Sequence, residues 1–314
     1  KMKILLFVNT IQNLKNPKYL GGIEILNFEL YKYFKKKHKI ILSNIISRNI
    51  LTTNWDIVIS SNDSRIFNQI KTKRKILWLH NKLQLEKAFR KKQLFSLLFN
   101  NIEAIFVSKY LNENTSRLYN FSKRTVIPNF IPSIFEKNKF SKNKKNKKNL
   151  FVWSVQRKLG LDELINVWKK KIYSLNSNCE LHIFGVNYKN NKLIKYNIFC
   201  HGKIPRQKLL NFYKKSIGMI CLGYDETFCL NAIEAMKMGL PIVSLGKTAL
   251  NEIIEDKKNG YLTDNIDNID KPIFNLINLD TPSRDSLSKY CNKFASNYSS
   301  NIIFKHWEKL ICSN

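Results

Sequence analysis

Acidic side chains are scarce in this chain: its 314 residues carry 23 Asp and Glu against 54 Lys and Arg, a formal net charge of +31. Long apolar runs are missing too. The opening run Ile4–Val8 is too short for a signal segment or a membrane span. Lys1 ahead of Met2 reads as an added residue, with Met2 the expected start and the cytoplasm, or its membrane face, the expected location. The six cysteines (Cys179, Cys200, Cys221, Cys229, Cys291 and Cys312) form no C-x-x-C pair, and several sit inside apolar strand-like runs. That pattern fits buried reduced thiols rather than a disulfide framework. Five scattered His lack ligand spacing, so no metal site is expected. No zinc module, helix-turn-helix or aromatic-interleaved single-strand motif accompanies the basic charge, which argues against a nucleic-acid partner.

What is present supports real cores: 44% hydrophobic residues, with 20 Phe and 13 Tyr. The length suits two domains of about 150 residues each. Of the basic residues 45 are Lys and 9 are Arg, a bias that an A+T-rich genome produces without functional demand. The distribution is less easily dismissed. Residues 1–149 hold 31 basic and 8 acidic side chains, whereas residues 150–314 hold 23 and 15. Part of the excess lies in Lys137–Lys148, seven Lys interleaved with Asn, which reads as a solvated linker.

Short apolar runs at Ile4–Val8, Ile40–Ser43, Asp56–Ser60, Ile76–Leu79 and Ala104–Val107 alternate with helical patterns such as Glu24–Phe34 and Leu83–Phe99. The alternation restarts at Leu150–Trp153 and continues through Leu181–Phe184, Ile198–Cys200, Gly218–Leu222 and Ile242–Ser244; Ser283–Leu310 reads as a closing helix. Such alternation means βαβ units with parallel sheets. The expectation is an α/β protein with two Rossmann-like domains, residues 1–136 and 150–314, joined by a linker at 137–149 and facing a cleft. Ligands in open α/β sheets bind off the carboxyl ends of strands.

One segment carries more chemistry than the rest: Glu226-Thr-Phe-Cys-Leu-Asn-Ala-Ile-Glu234, followed by Ala-Met-Lys-Met-Gly239-Leu-Pro241. A helix beginning near Leu230 leaves Glu226 on a loop and places Glu234 one helical face further on. Two carboxylates so placed can accept hydrogen bonds from a polyhydroxyl ligand, while the helix amides favour a phosphate. Spacing alone fits two solvent-exposed glutamates on a surface helix better.

With its surroundings this segment resembles the retaining glycosyltransferase family 4, of GT-B architecture. The likeness extends to Gly21-Gly22-Ile23-Glu24, Val126-Ile-Pro128-Asn129, Gly160-Leu-Asp162-Glu-Leu-Ile165, His201-Gly202-Lys203-Ile204-Pro205, and Asn251-Glu252 with Asn259-Gly260-Tyr261-Leu262. The resemblance implies a nucleotide-diphosphate sugar as co-substrate, no other cofactor and no metal. Glu226 would lie by the donor sugar, Glu234 on the ribose hydroxyls, and the backbone of Phe228, Cys229 and Leu230 at sugar or phosphate. Gly202 and Ile204 would meet the nucleobase through main chain. Gly21 and Gly22 match the family's glycine-rich loop, and His80 the strand-end His that contacts donor or acceptor.

The chain also departs from the family. Where an Arg and a Lys usually neutralise the leaving diphosphate, the register places Ser154 and Leu159, so Arg157 and Lys158 are the expected substitutes. Cys229 stands where glycine is more common. The basic surface and the mixed aromatic and basic stretch 83–99 point to an anionic membrane surface and to an acceptor that is a lipid or membrane-linked glycan. An ordinary helix packing its apolar stripe on the sheet has the same pattern. A soluble acceptor, a nucleic-acid binder and an inactive carbohydrate-binding relative remain the rival readings.

Overall fold

The computed structural model describes residues 1–10, 14, 20–138, 140, 149–155, 158–188 and 191–312. The chain divides into two compact units, Lys1–Pro132 with Ser300–Asn314, and Ser133–Ser299. The expected boundary at 136/137 therefore moves to 132/133. The short helix Ser133–Glu136 joins the second unit, with Phe135 buried and its ring 5.9 Å from that of Tyr213. Most of the expected linker, residues 139 and 141–148, lies outside the described residues.

The first unit is built on six strands, β1 (Lys3–Val8), β2 (Lys39–Ser43), β3 (Trp55–Ser61), β4 (Thr72–Leu79), β5 (Ile102–Phe106) and β6 (Phe121–Val126). They run in the order β2-β1-β3-β4-β5-β6, every pair parallel. Strand β1 is buried from Ile4 to Val8, as a strand covered on both faces must be. The last helix, Ser300–Cys312, belongs to this unit for clear reasons. Its Trp307 packs edge-on to Trp78 at 4.7 Å and its Phe304 edge-on to Phe130 at 4.7 Å. Arg74 donates to the carbonyls of Leu310 and Ile311 at 3.0 and 3.1 Å, capping the helix end. The expected single helix over 283–310 is instead two, Thr281–Ala295 and Ser300–Cys312, because Ser299 is extended (φ −62, ψ 146).

A second expected helix also breaks. Residues 83–99 form two short helices, Leu85–Arg90 and Leu94–Phe99, because Lys92 adopts φ +54 between them. Phe89 on the first helix and Phe95 and Phe99 on the second face outward, at 72%, 64% and 72% exposure.

The second unit repeats the plan with β7 (Asn149–Trp153), β8 (Cys179–Phe184), β9 (Ile198–Gly202), β10 (Gly218–Ile220), β11 (Ile242–Ser244) and β12 (Gly260–Leu262). The order is β12-β11-β10-β7-β8-β9, again all parallel. The chain runs outward from β7 to β9, then returns to β10 and proceeds the other way. Strand order thus reverses between β7 and β10, the point where this architecture opens a crevice beyond the strand ends.

Candidate active site

The loop after β10 and the helix Leu230–Lys237 carry the two expected acids to that reversal point. Glu226, half-buried, lines a small cavity with Trp153 and Leu159 from the β7 side and Cys221 and Tyr224 from the β10 side. Its backbone carbonyl accepts from Ala249 at 3.3 Å, which anchors the loop. Glu234 sits in the helix with 0% exposure. A carboxylate so buried needs a cation, and Arg206 supplies it, donating from Nη1 to Glu234 Oε1.

Arg206 was not among the residues singled out from sequence. It is the first residue of the helix Arg206–Lys215, directly after the turn that follows Gly202 and Ile204. Gly202 closes β9 at φ +63, and its carbonyl accepts from Gly185 at 2.8 Å; Ile204 is half-buried beyond it. The two nucleobase candidates therefore lead straight to the side chain that holds the ribose candidate.

A second polar chain knits the same region. Tyr213 and Ser154 share a hydroxyl hydrogen bond of 2.7 Å, and the Ser154 carbonyl accepts from Asn231 Nδ2. Helix Arg206–Lys215, the end of β7 and the start of helix Leu230–Lys237 are joined this way. Burial, and then the field of Glu234, push the Tyr213 phenol well up, so it stays a neutral hydroxyl.

Cys229 precedes the helix at φ 61, ψ 70, a left-handed conformation that costs a residue with a Cβ about 1–2 kcal/mol. The glycine-like turn is thus retained although the residue is cysteine. Its thiol points inward, 3.5 Å from the thiol of Cys221. The hydrogen bond to Cys221 and burial push it well up, leaving an inert thiol. Phe228 is buried against the edge of Tyr298, with ring centroids 5.7 Å apart. Leu230 opens the helix.

The turn after β7 is less complete. Ser154 is buried, Leu159 is exposed, and Arg157 lies outside the described residues. Lys158 is exposed with its ammonium over the Tyr188 ring at 5.4 Å, and Tyr188 in turn donates to Asp162 at 2.7 Å. Gly160, at φ +79, must be glycine: a Cβ there would meet Leu222 and Tyr224 at 2.5 Å. Among the described residues no group of three His, Cys, Asp or Glu could hold a metal ion.

Three candidates lie in the first unit. His80 follows β4, 5% exposed, with its backbone N–H on Asn62 Oδ1 at 2.8 Å. Burial pushes its imidazole down to about 3, so it is neutral at any physiological pH. Gly21 is the N-cap of helix Gly22–Phe34 at φ −71, ψ −174, and its carbonyl accepts from Ile25 at 3.1 Å; neither this extended backbone nor the helical start at Gly22 demands glycine.

The profile of the family described as glycosyl transferases group 1 matches residues 133–294, more than half of the chain. The chain belongs to the glycosyl transferases group 1 family. A poly(ribitol-phosphate) alpha-N-acetylglucosaminyltransferase of Staphylococcus aureus (strain COL) is 29% identical over 165 residues, which is 49% of this chain and 33% of the relative. The chain thus spans about a third of that relative's length. Sucrose-phosphate synthase from Thermosynechococcus elongatus superposes with a TM-score of 0.74 at 13% identity, over 99% of this chain and 98% of the other. WaaG, described as a glycosyltransferase involved in lipopolysaccharide biosynthesis, superposes with a TM-score of 0.72 at 12% identity, over 99% and 100%. These likenesses show the GT-B fold. The region matched to the family contains Glu226, Glu234 and Arg206.

Proposed function

We propose that this chain transfers a hexosyl group from a nucleotide-diphosphate sugar, with retention and without a metal, to an anionic or membrane-associated acceptor. The observation that carries the reading is the pair of acids at the strand-order reversal of the second sheet, one half-buried at the cavity and one fully buried on Arg206. Glu234 would accept from the ribose hydroxyls and Glu226 would lie against the donor sugar. The amides at the start of helix Leu230–Lys237 would face the diphosphate, whose negative charge they favour. The acceptor oxygen attacks the anomeric carbon on the face the phosphate leaves. The carbon–oxygen bond to phosphate breaks as the new bond forms, and the departing phosphate oxygen takes the acceptor's proton. Lys158, with Arg157, would offset the leaving charge.

The acceptor side rests on composition and surface. The first half is the strongly basic one, and Phe89, Phe95 and Phe99 stand exposed beside Lys87, Arg90 and Lys91. Aromatic rings among cations favour the headgroup region of anionic lipid. No described helix is long and apolar enough to cross a membrane, so the reading is peripheral docking on the inner face of the cytoplasmic membrane. The S. aureus relative makes an N-acetylglucosaminyl donor the first to try.

The test is thermal stabilisation and donor hydrolysis with UDP-, GDP- and ADP-sugars, repeated on Glu234→Gln. One nucleotide class should stabilise the protein, and the variant should lose that shift. Equal indifference to all three would overturn the reading.

A further inference from the structure

In the first sheet, β3 and β4 end side by side, and Asn62 ties their ends together. At φ +59 it accepts with Oδ1 from the backbone N–H groups of His80 at 2.8 Å and Asn81 at 3.2 Å. Against this tie lies a cavity of about 50 Å³ that opens to solvent. The space takes several oxygen-sized atoms, enough for one phosphate.

The lining is one-sided in charge. Lys82, Lys87 and Lys91 contribute to it, and no carboxylate does. Lys82 is steadied with its ammonium over the Tyr110 ring at 5.1 Å. Lys87 and Lys91 are four residues apart at the helix Leu85–Arg90 and meet on one face, a like-charge spacing that disfavours the helix unless an anion sits between them. Glu86 pairs with Arg90 at 3.4 Å and so neutralises neither. Lysine abundance accounts for exposed lysines in general, but not for the fourth wall. Gln93 is 5% exposed and lines the cavity, yet its side-chain amide bonds to no group among the described residues. At the wall of the cavity its N–H₂ is a ready donor to an anionic oxygen.

We propose that this cavity is a subsite for a phosphate carried by the acceptor, with Lys82, Lys87 and Lys91 as counter-charges and Gln93 as the directional donor. Only the word acceptor depends on the transferase reading; the phosphate chemistry stands on the cavity alone. Its position off the carboxyl ends of β3 and β4 is where an α/β sheet receives ligands. The phosphate could belong to a soluble molecule or to a lipid headgroup, and the recognition chemistry is the same.

The experiment uses the full chain and two probes: glycerol phosphate, with glycerol as neutral control, and phosphatidylcholine vesicles with or without phosphatidylglycerol. Glycerol phosphate should bind and glycerol should not. The triple variant Lys82→Gln, Lys87→Gln, Lys91→Gln should weaken binding by about tenfold or more, the corresponding Arg triple should retain it, and Gln93→Leu should weaken it with all three charges intact. Sedimentation with phosphatidylglycerol vesicles that the Gln triple abolishes, without binding of glycerol phosphate, would support the subsite and assign it to a headgroup. Binding of both probes unchanged in the Gln triple, or of neither probe by the wild-type chain, would overturn the subsite. If the wild-type chain binds phosphate but hydrolyses no nucleotide sugar, the transferase reading falls and the subsite stands.

Discussion

The two sheets are wound alike, and each keeps a buried acid near its strand-order reversal, yet the acids are neutralised differently. In the first unit Asp63 takes its cation from two residues along the chain. Both its oxygens are filled, by the Arg65 N–H at 3.1 Å, Arg65 Nε at 2.9 Å, Arg65 Nη2 at 2.6 Å and Asn9 Nδ2 at 2.7 Å. That is a closed structural clip. In the second unit Glu234 takes its cation from a separate helix, through Arg206. On the proposed reading, the difference separates a scaffold acid from one that meets the donor.

The sharpest way to break this contrast is at Glu226. Glu226→Gln should lower sugar transfer by about a thousandfold with thermal stability unchanged. Near-normal turnover in a coupled nucleotide-release assay would remove Glu226 from the reaction.

Next come the two arginines. Arg206→Met strands a fully buried carboxylate and should cost about 3–5 kcal/mol in denaturant unfolding. Arg65→Ala removes a half-exposed partner and should cost less, about 1–2 kcal/mol. Equal losses would erase the distinction. Burial alone would raise the Asp63 carboxyl, but the bonds from Arg65 outweigh it and hold it below its ordinary value. The stability from that clip is therefore full above the ordinary carboxylate range and lost as pH falls through the lowered value. Arg65→Ala should flatten that acid limb.

Gly160→Ala sharpens the comparison within the second sheet. Its new Cβ would strike Leu222 and Tyr224, which line the Glu226 cavity. A loss of about 2 kcal/mol with a larger proportional loss of turnover is expected. A loss of stability alone would detach that turn from the site.

The last test falls on His80 in the first sheet, whose effect shows only at acid pH. Its folded value near 3 lies below the ordinary 6.5, so the unfolded chain takes up the proton first as pH drops. Stability should be full above pH 6.5 and fall by about 2 kcal/mol by pH 5, and His80→Asn should remove that slope. A slope unchanged in the variant would mean another group carries it.

Strands with uninterrupted apolar runs, such as Ile4–Val8 and Ile76–Leu79, were legible because a parallel strand buried on both faces must be apolar throughout. Strand β6 was not, since Phe-Ser-Lys-Arg-Thr-Val lies at the sheet edge with Ser122 and Lys123 exposed. The break at Lys92 was also hidden, because a left-handed lysine leaves no mark on hydrophobic periodicity. At the site, the loop position of Glu226 and the helical position of Glu234 could be read from spacing and the glycine–proline stop. Arg206 could not.

Residue order by itself determined the alternating α/β plan, the two acids eight positions apart and the basic bias of the first half, because local periodicity, turn chemistry and charge are written along the chain. Tertiary structure alone decided which cation meets Glu234, which way the aromatics of 85–99 face, and that Lys82, Lys87, Lys91 and Gln93 share one cavity. Those outcomes depend on how separate elements pack, and packing brings together side chains whose separation in sequence carries no signal.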